Sequence, residues 1–418
     1  MKRIFLLAVL LLLLLCGCTV QVHFAGEAQP LPETVSASGE EASSSSPTTL
    51  LQPEAEKEEI RAVWVSYSEL NPEKTRDEAA FRRRVRQLLA PMQTLSVTDI
   101  FLHVRPFADS ICPSALFASS SAVVSRRGDS LPFDCAAVFL SEAEKAGARV
   151  HAWINPYRVS AKTGDVSAFA EDPAVGALLK KKGPPCVLAW NGGVYLDPAS
   201  ADVQTLIVQG ARELLEHYAF AGVHIDDYFY PTDDAAFDAE SYKAYLASGG
   251  TDDLFAFRRE NVSRLLRSLY AALKSFGAEK IFSVSPAADI ERNENVLFAD
   301  VKRWACEDGF CDWLIPQIYF GFANETRPFE DCAAQWRTLC GGRNVRLLGG
   351  LAAYKIGRDD LFAGSGRVEW KTDAAILKHQ VLTLRSLGYD GFALFSASFL
   401  NFDKKLSAKV LKNLKDVL

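Results

Sequence analysis

Two acids stand side by side at Asp226 and Asp227, inside the run Gly222-Val-His-Ile-Asp-Asp-Tyr-Phe-Tyr-Pro. Carboxyl groups held this close can divide a bond-breaking reaction between them, one giving a proton and the other acting as base, nucleophile or stabilising charge. In an extended strand, neighbours point to opposite faces. Asp226 therefore shares a face with His224 and Tyr228, and Asp227 joins it only if the chain turns there; otherwise it caps or braces the following loop. Asp289, on the parity of Ser283, Ser285 and Ala287, is the further catalytic candidate, with Glu291 and Glu325 on neighbouring loops. Arg105, Asn155, Arg158 and Gln317 offer cations and amides for binding, and Tyr157, Tyr228, Tyr230 and Tyr319 offer phenols. His103, His151 and His224 could form a metal-binding trio, but they lie below the strand ends, where histidines brace carboxylates by hydrogen bonding. No metal and no cofactor is expected.

These side chains need elements that aim them together. From residue 60 the chain alternates short β-branched and aromatic runs with amphipathic stretches, the pattern of an α/β fold with a parallel sheet. Eight such runs cover residues 60–67, 98–105, 149–157, 222–230, 281–287, 312–320, 345–354 and 391–398. Helix-like stretches lie at 77–89, 141–146, 201–218, 254–276, 372–387 and 406–418. Extra length follows strands two, three and four. The expected fold is a (β/α)8 TIM barrel with elaborated βα loops over residues 58–418, since neither GxGxxG nor a P-loop marks a doubly wound sheet. In such a barrel, chemistry gathers at the C-terminal strand ends. Parity there sends Val104, Ile154, Ile225 and Ile318 toward the helices, and Arg105, Asn155, Asp226, Gln317 and Tyr319 into one mouth.

The 418 residues carry 46 Lys plus Arg against 52 Asp plus Glu, a net charge of -6 that provides no cationic footprint for nucleic acid. Lys2 and Arg3 precede an apolar run over 4–15 that ends in Leu15-Cys16-Gly17-Cys18, which resembles a bacterial lipobox. Residues 1–17 are then a lipoprotein signal, Cys18 the lipidated residue, and 18–57, with Ser43 to Ser46 and several prolines, a flexible linker. An exported protein, lipid-anchored to the outer face of a bacterial membrane, is the expectation. Nine cysteines are too few for a disulfide scaffold, although Cys306, Cys311, Cys332 and Cys340 cluster around strand six, where one or two bridges could form.

The motifs Arg61-Ala-Val-Trp-Val-Ser, His103-Val-Arg-Pro-Phe-Ala-Asp, His151-Ala-Trp-Ile-Asn-Pro-Tyr-Arg, Gly222-Val-His-Ile-Asp-Asp-Tyr-Phe-Tyr-Pro and Pro316-Gln-Ile-Tyr resemble the bacterial glycosyl-hydrolase-like family ten over nearly all of residues 58–400. The resemblance implies a TIM barrel, often exported and lipid-anchored, in a family that includes a hydrolase of peptidoglycan glycan strands stripped of their stem peptides. It makes cell-wall glycan the leading partner. Glycoside cleavage needs two carboxyl groups, or one acid and a substrate N-acetyl group with a positioner such as Tyr319. Trp64, Tyr67, Trp153, Tyr228 and Tyr354 are aromatic neighbours of the mouth, while Tyr157, Tyr230 and Phe320 are the better placed to stack on sugar rings. Asn155, Arg158 and Gln317 would fix hydroxyl or acetamido groups, and Arg105 would meet a catalytic or muramyl carboxylate. The alternative is a catalytically inactive barrel that binds glycan and organises wall machinery.

Overall fold

The computed structural model describes residues 58–70, 77–341, 345–400 and 405–418. The signal at 1–17, Cys18 and the linker 18–57 lie outside them. Eight parallel strands close into a barrel: β1 (Ile60–Val65), β2 (Asp99–Arg105), β3 (Arg149–Ile154), β4 (Gly222–Ile225), β5 (Ile281–Val284), β6 (Trp313–Leu314), β7 (Arg346–Leu351) and β8 (Gly391–Phe395), with β8 paired back onto β1. All eight expected runs contain strands, and all but β2, which runs through to Arg105, end before the run does, so that their tails become loops.

Alternation sorts each strand between two cores. Val63, Leu102, Val104, Ala152, Ile154, Val223, Ile225, Val284 and Leu314 pack outward against the helices. Trp64, Phe101, Trp153, Trp313, Ile315 and Leu348 fill the interior. Each large side chain so buried contributes roughly 1.5–3 kcal/mol. The helices start where a side chain caps them: Asp77 accepts from the Ala79 amide, Asp134 from Ala137, Ser200 from Val203 and Asp253 from Ala256.

The extra length after β2, β3 and β4 forms the rim. After β3 it makes a three-stranded antiparallel sheet of Arg158–Ser160, Gly193–Leu196 and Val187–Trp190. After β4 it carries the helix Ala239–Ala247. The expected bridges near β6 are absent: Cys306, Cys311, Cys332 and Cys340 are free thiols, and the last three are buried as small apolar groups. No helix among the described residues is long and apolar enough to cross a membrane.

Candidate active site

β4 stops at Ile225, and a tight turn follows in which the Phe229 amide donates to the Asp227 carbonyl at 3.0 Å. This turn is what lets consecutive residues share the mouth. Asp226 is 4% exposed; its Oδ1 accepts from the Tyr228 amide at 3.3 Å, and its Oδ2 has no hydrogen-bond partner. Burial and the Asp227 charge push the Asp226 carboxyl up to about 8, against the pull of Arg158. The Trp153 indole sits close enough to favour the ionised form of Asp226, although neither Trp153 Nε1 nor Asp226 Oδ2 completes a well-aligned bond. Burial also raises the Asp227 carboxyl, opposed by a hydrogen bond from Gln317 and by the charges of Arg158 and Arg292. The Gln317 amide is itself fixed by donating to the Ser285 carbonyl at 3.0 Å.

The walls are aromatic. Tyr319 meets Tyr354 and Phe395 with ring centroids 5.7 and 6.0 Å away, and burial keeps its hydroxyl protonated. Tyr228, 48% exposed, is the open edge. The Arg158 guanidinium lies 3.9 Å from the Tyr228 ring centre and 5.0 Å from that of Phe107. Below them, His103 stacks on Trp153 at 3.7 Å and 11° and meets the Tyr67 edge. Burial and the Arg158 charge hold His103 well below the ordinary imidazole value, hence neutral.

The other two inward histidines are also structural, and they do not brace the acids as expected. The Trp64 indole N–H donates to His224 Nε2 at 2.9 Å, which leaves the proton on Nδ1 to be given to Ser283 Oγ at 2.9 Å. His151 Nε2 pairs with Asp99 Oδ1 at 2.8 Å at the start of β2. No group of residues suited to hold a metal ion occurs among the described residues.

Residues 59–363 match the model of the family described as glycosyl hydrolase-like 10. The chain belongs to that family. Among curated relatives, the chain is similar to "Glycosyl hydrolase YngK" of Bacillus subtilis (strain 168), 30% identical over 323 residues, 71% of this chain and 61% of that protein. "Glycosyl hydrolase DigH" of Escherichia coli (strain K12) is 29% identical over 289 residues, 64% of each chain. The chain thus spans less than two thirds of the length of these relatives. Its barrel is similar to the PgaB glycoside hydrolase domain of Bordetella bronchiseptica (TM-score 0.53, 15% identity, 84% of this chain and 97% of that one). It is also similar to an alpha-L-fucosidase of Paenibacillus thiaminolyticus (TM-score 0.52, 14% identity, 86% and 49%). At such identities the likeness is one of fold.

Within this glycosyl hydrolase-like 10 barrel, the mouth unites Asp226, Asp227, Arg158, Tyr228, Gln317 and Tyr319. Four other expected binding residues point elsewhere. A register shift between His103 and Arg105 pairs Arg105 with the helix-facing Ile154, so its side chain leaves the interior. It binds Glu213 at 2.7 Å on the helix Ala201–His217 and lies over the Phe117 ring. Asn155 donates to the Pro106 carbonyl at 3.0 Å, holding the β2 loop to the end of β3. Tyr157, 1% exposed, is carried by the start of the small sheet into the helix-side core. Tyr230 is buried between Phe298 and Phe237, its hydroxyl accepting from Asn261 at 3.3 Å.

Asp289 is also occupied elsewhere. It caps the short helix Ile290–Arg292 and pairs with Arg327. Glu291 binds Lys302 at 2.7 Å, and Glu325 accepts from the Ser365 amide. Sequence reasoning missed Phe107, Arg292 and Phe395. Phe107 carried a signal in its place in the loop directly after β2, and Phe395 in its place at the C-terminal end of β8.

Proposed function

We propose that this protein is a glycoside hydrolase that cuts glycosidic bonds in an N-acetylated cell-wall glycan, peptidoglycan strands first, from a lipid anchor at Cys18 outside the membrane. Family membership and the activity named for YngK and DigH support the reaction class. The observation that carries the mechanism is the pair Asp226–Asp227 on one strand end.

Carboxyls on consecutive residues approach the sugar from one side, whereas the usual pairs flank the scissile bond. The charges acting most strongly are Asp227 and Arg158 on Asp226, and Arg158 and Arg292 on Asp227. That arrangement suits a reaction in which the substrate brings its own nucleophile. Asp226, still protonated near neutrality, gives its proton to the departing glycosidic oxygen as the C–O bond breaks. The 2-acetamido carbonyl oxygen forms the new bond to the anomeric carbon, and the Asp227 carboxylate offsets the positive charge that develops on the acetamido nitrogen. Tyr319 positions the acetamido group. Water then opens the ring so formed, giving its proton to the Asp226 carboxylate and resetting the site.

The test is incubation of the purified chain with peptide-free peptidoglycan strands and with other polysaccharides, beside Asp226→Asn. Reducing ends released by the native chain and lost in the variant are expected. Release that survives the substitution would remove Asp226 from the mechanism, and binding without release by the native chain would favour the glycan-organising barrel.

A further inference from the structure

We infer that Arg158 is the receptor for a carboxylate carried by the glycan, so that an acidic polysaccharide rather than a neutral one is the preferred substrate; this rests on the glycan-acting reading of the same mouth. Arg158 begins the first strand of the rim sheet, paired with Tyr195. Its guanidinium carbon lies against two rings, Tyr228 and Phe107. Contact of this kind fixes a guanidinium, and apart from an interaction with the Tyr228 hydroxyl its edge is a fork of N–H donors matched to the two oxygens of a carboxylate.

The fork has no protein anion. Among the described residues, Arg158 enters no ion pair within 4.0 Å, whereas Arg105, Arg127 and Arg258 are each paired with a buried acid. Its Nε is shielded from solvent and without an acceptor. The nearby acids do not neutralise it. Asp226 retains its proton near neutrality, which leaves Arg158 and Arg292 facing the single ionisable charge of Asp227. An incoming carboxylate would balance the mouth and complete the fork, whereas a hydroxyl would meet one donor and leave the charge unmatched. Uronic acids and lactyl-ether sugars share that chemistry.

The test compares the full chain on peptide-free glycan strands with free carboxylates and on the same strands after carbodiimide amidation. The native chain is expected to favour the free acid by about tenfold or more in kcat/KM, the scale of one charge-assisted contact. Arg158→Gln should bring the two rates within about twofold, and Arg158→Lys should restore part of the preference. Equal rates on both strands with the native chain, or equal slowing of both by Arg158→Gln, would overturn the assignment. A uniform change would mean that Arg158 acts only on the Asp226–Asp227 pair. If neither strand is cut, the hydrolase reading fails by itself, and the affinities of the native chain and Arg158→Gln for the two strands decide the carboxylate receptor.

Discussion

Asp227 stands in the barrel mouth beside Asp226 because β4 ends one residue before the pair, at Ile225. Had the strand continued, its pleat would have turned Asp227 toward the helices. The same turn exposes Tyr228, the residue on which Arg158 stacks.

In the proposed mechanism the two acids have different work, and substitution separates them. Asp226→Asn and Asp227→Asn are each expected to lower kcat/KM on glycan by about 10² to 10⁴. A substrate with an activated aryl leaving group needs no proton donor, so it should recover most of its rate in Asp226→Asn and little in Asp227→Asn. The reverse pattern would exchange the two roles.

The rate should depend on pH at both ends. The Asp226 carboxyl is raised from 3.8 to about 8, so its proton is present below that value and activity is lost as pH rises through about 8. The charge on Asp227 is lost as pH falls, which closes the acid side. Gln317 lowers the Asp227 value, so Gln317→Leu should move the acid limb to higher pH and leave the alkaline limb in place. A kcat/KM profile from pH 4 to 10 measures both.

Arg105 belongs to stability rather than to the mouth. Its pair with Glu213 is buried, and Glu213 also accepts from Ser114 Oγ and the Ala115 amide, tying the β2 loop to the helix Ala201–His217. Arg105→Met leaves Glu213 without its cation and should cost about 3 kcal/mol in urea unfolding. KM at a temperature where the variant is folded should stay within about twofold. A rise in KM with no loss of stability would return Arg105 to the mouth.

His103 makes the fold sensitive to acid. Its folded value lies well below the ordinary 6.5, so the unfolded chain takes up a proton that the folded chain refuses, and stability falls as pH drops below about 6.5. By pH 5 the penalty is about 2 kcal/mol. His103→Phe keeps a flat ring on Trp153 and removes the titration. Relative to the native chain it should gain about that amount between pH 8 and pH 5 in denaturant midpoints; a constant difference across that range would show that His103 is protonated in place.

Legibility followed the range of the forces involved. Strand identity is local, a matter of β-branched and aromatic runs, and all eight strands stand where the runs lie. Inward and outward faces follow from the pleat, which sends Val104, Ile154 and Ile225 to the helices and His224 inward, as found. Parity failed where the backbone left its regular form. The shift after His103 turned Arg105 outward, and the early end of β3 released Tyr157 into the helix-side core. Asp289 failed for another reason: a loop acid takes whatever amide or cation the fold brings near it, and here those are the Arg292 amide and Arg327.

By itself, then, the sequence determined the barrel, the family and the carboxyl pair, because each is written in contiguous residues with a fixed period or motif. Which groups converge on that pair was left to the tertiary structure. Gln317, expected in the mouth from parity, reaches Asp227 from the loop after β6, and Arg158 comes from a rim sheet whose pairing with Tyr195 no periodicity announces. The shift at Arg105 and the stacking of Arg158 depend on contacts between residues tens of positions apart, and such contacts exist only once the barrel has closed.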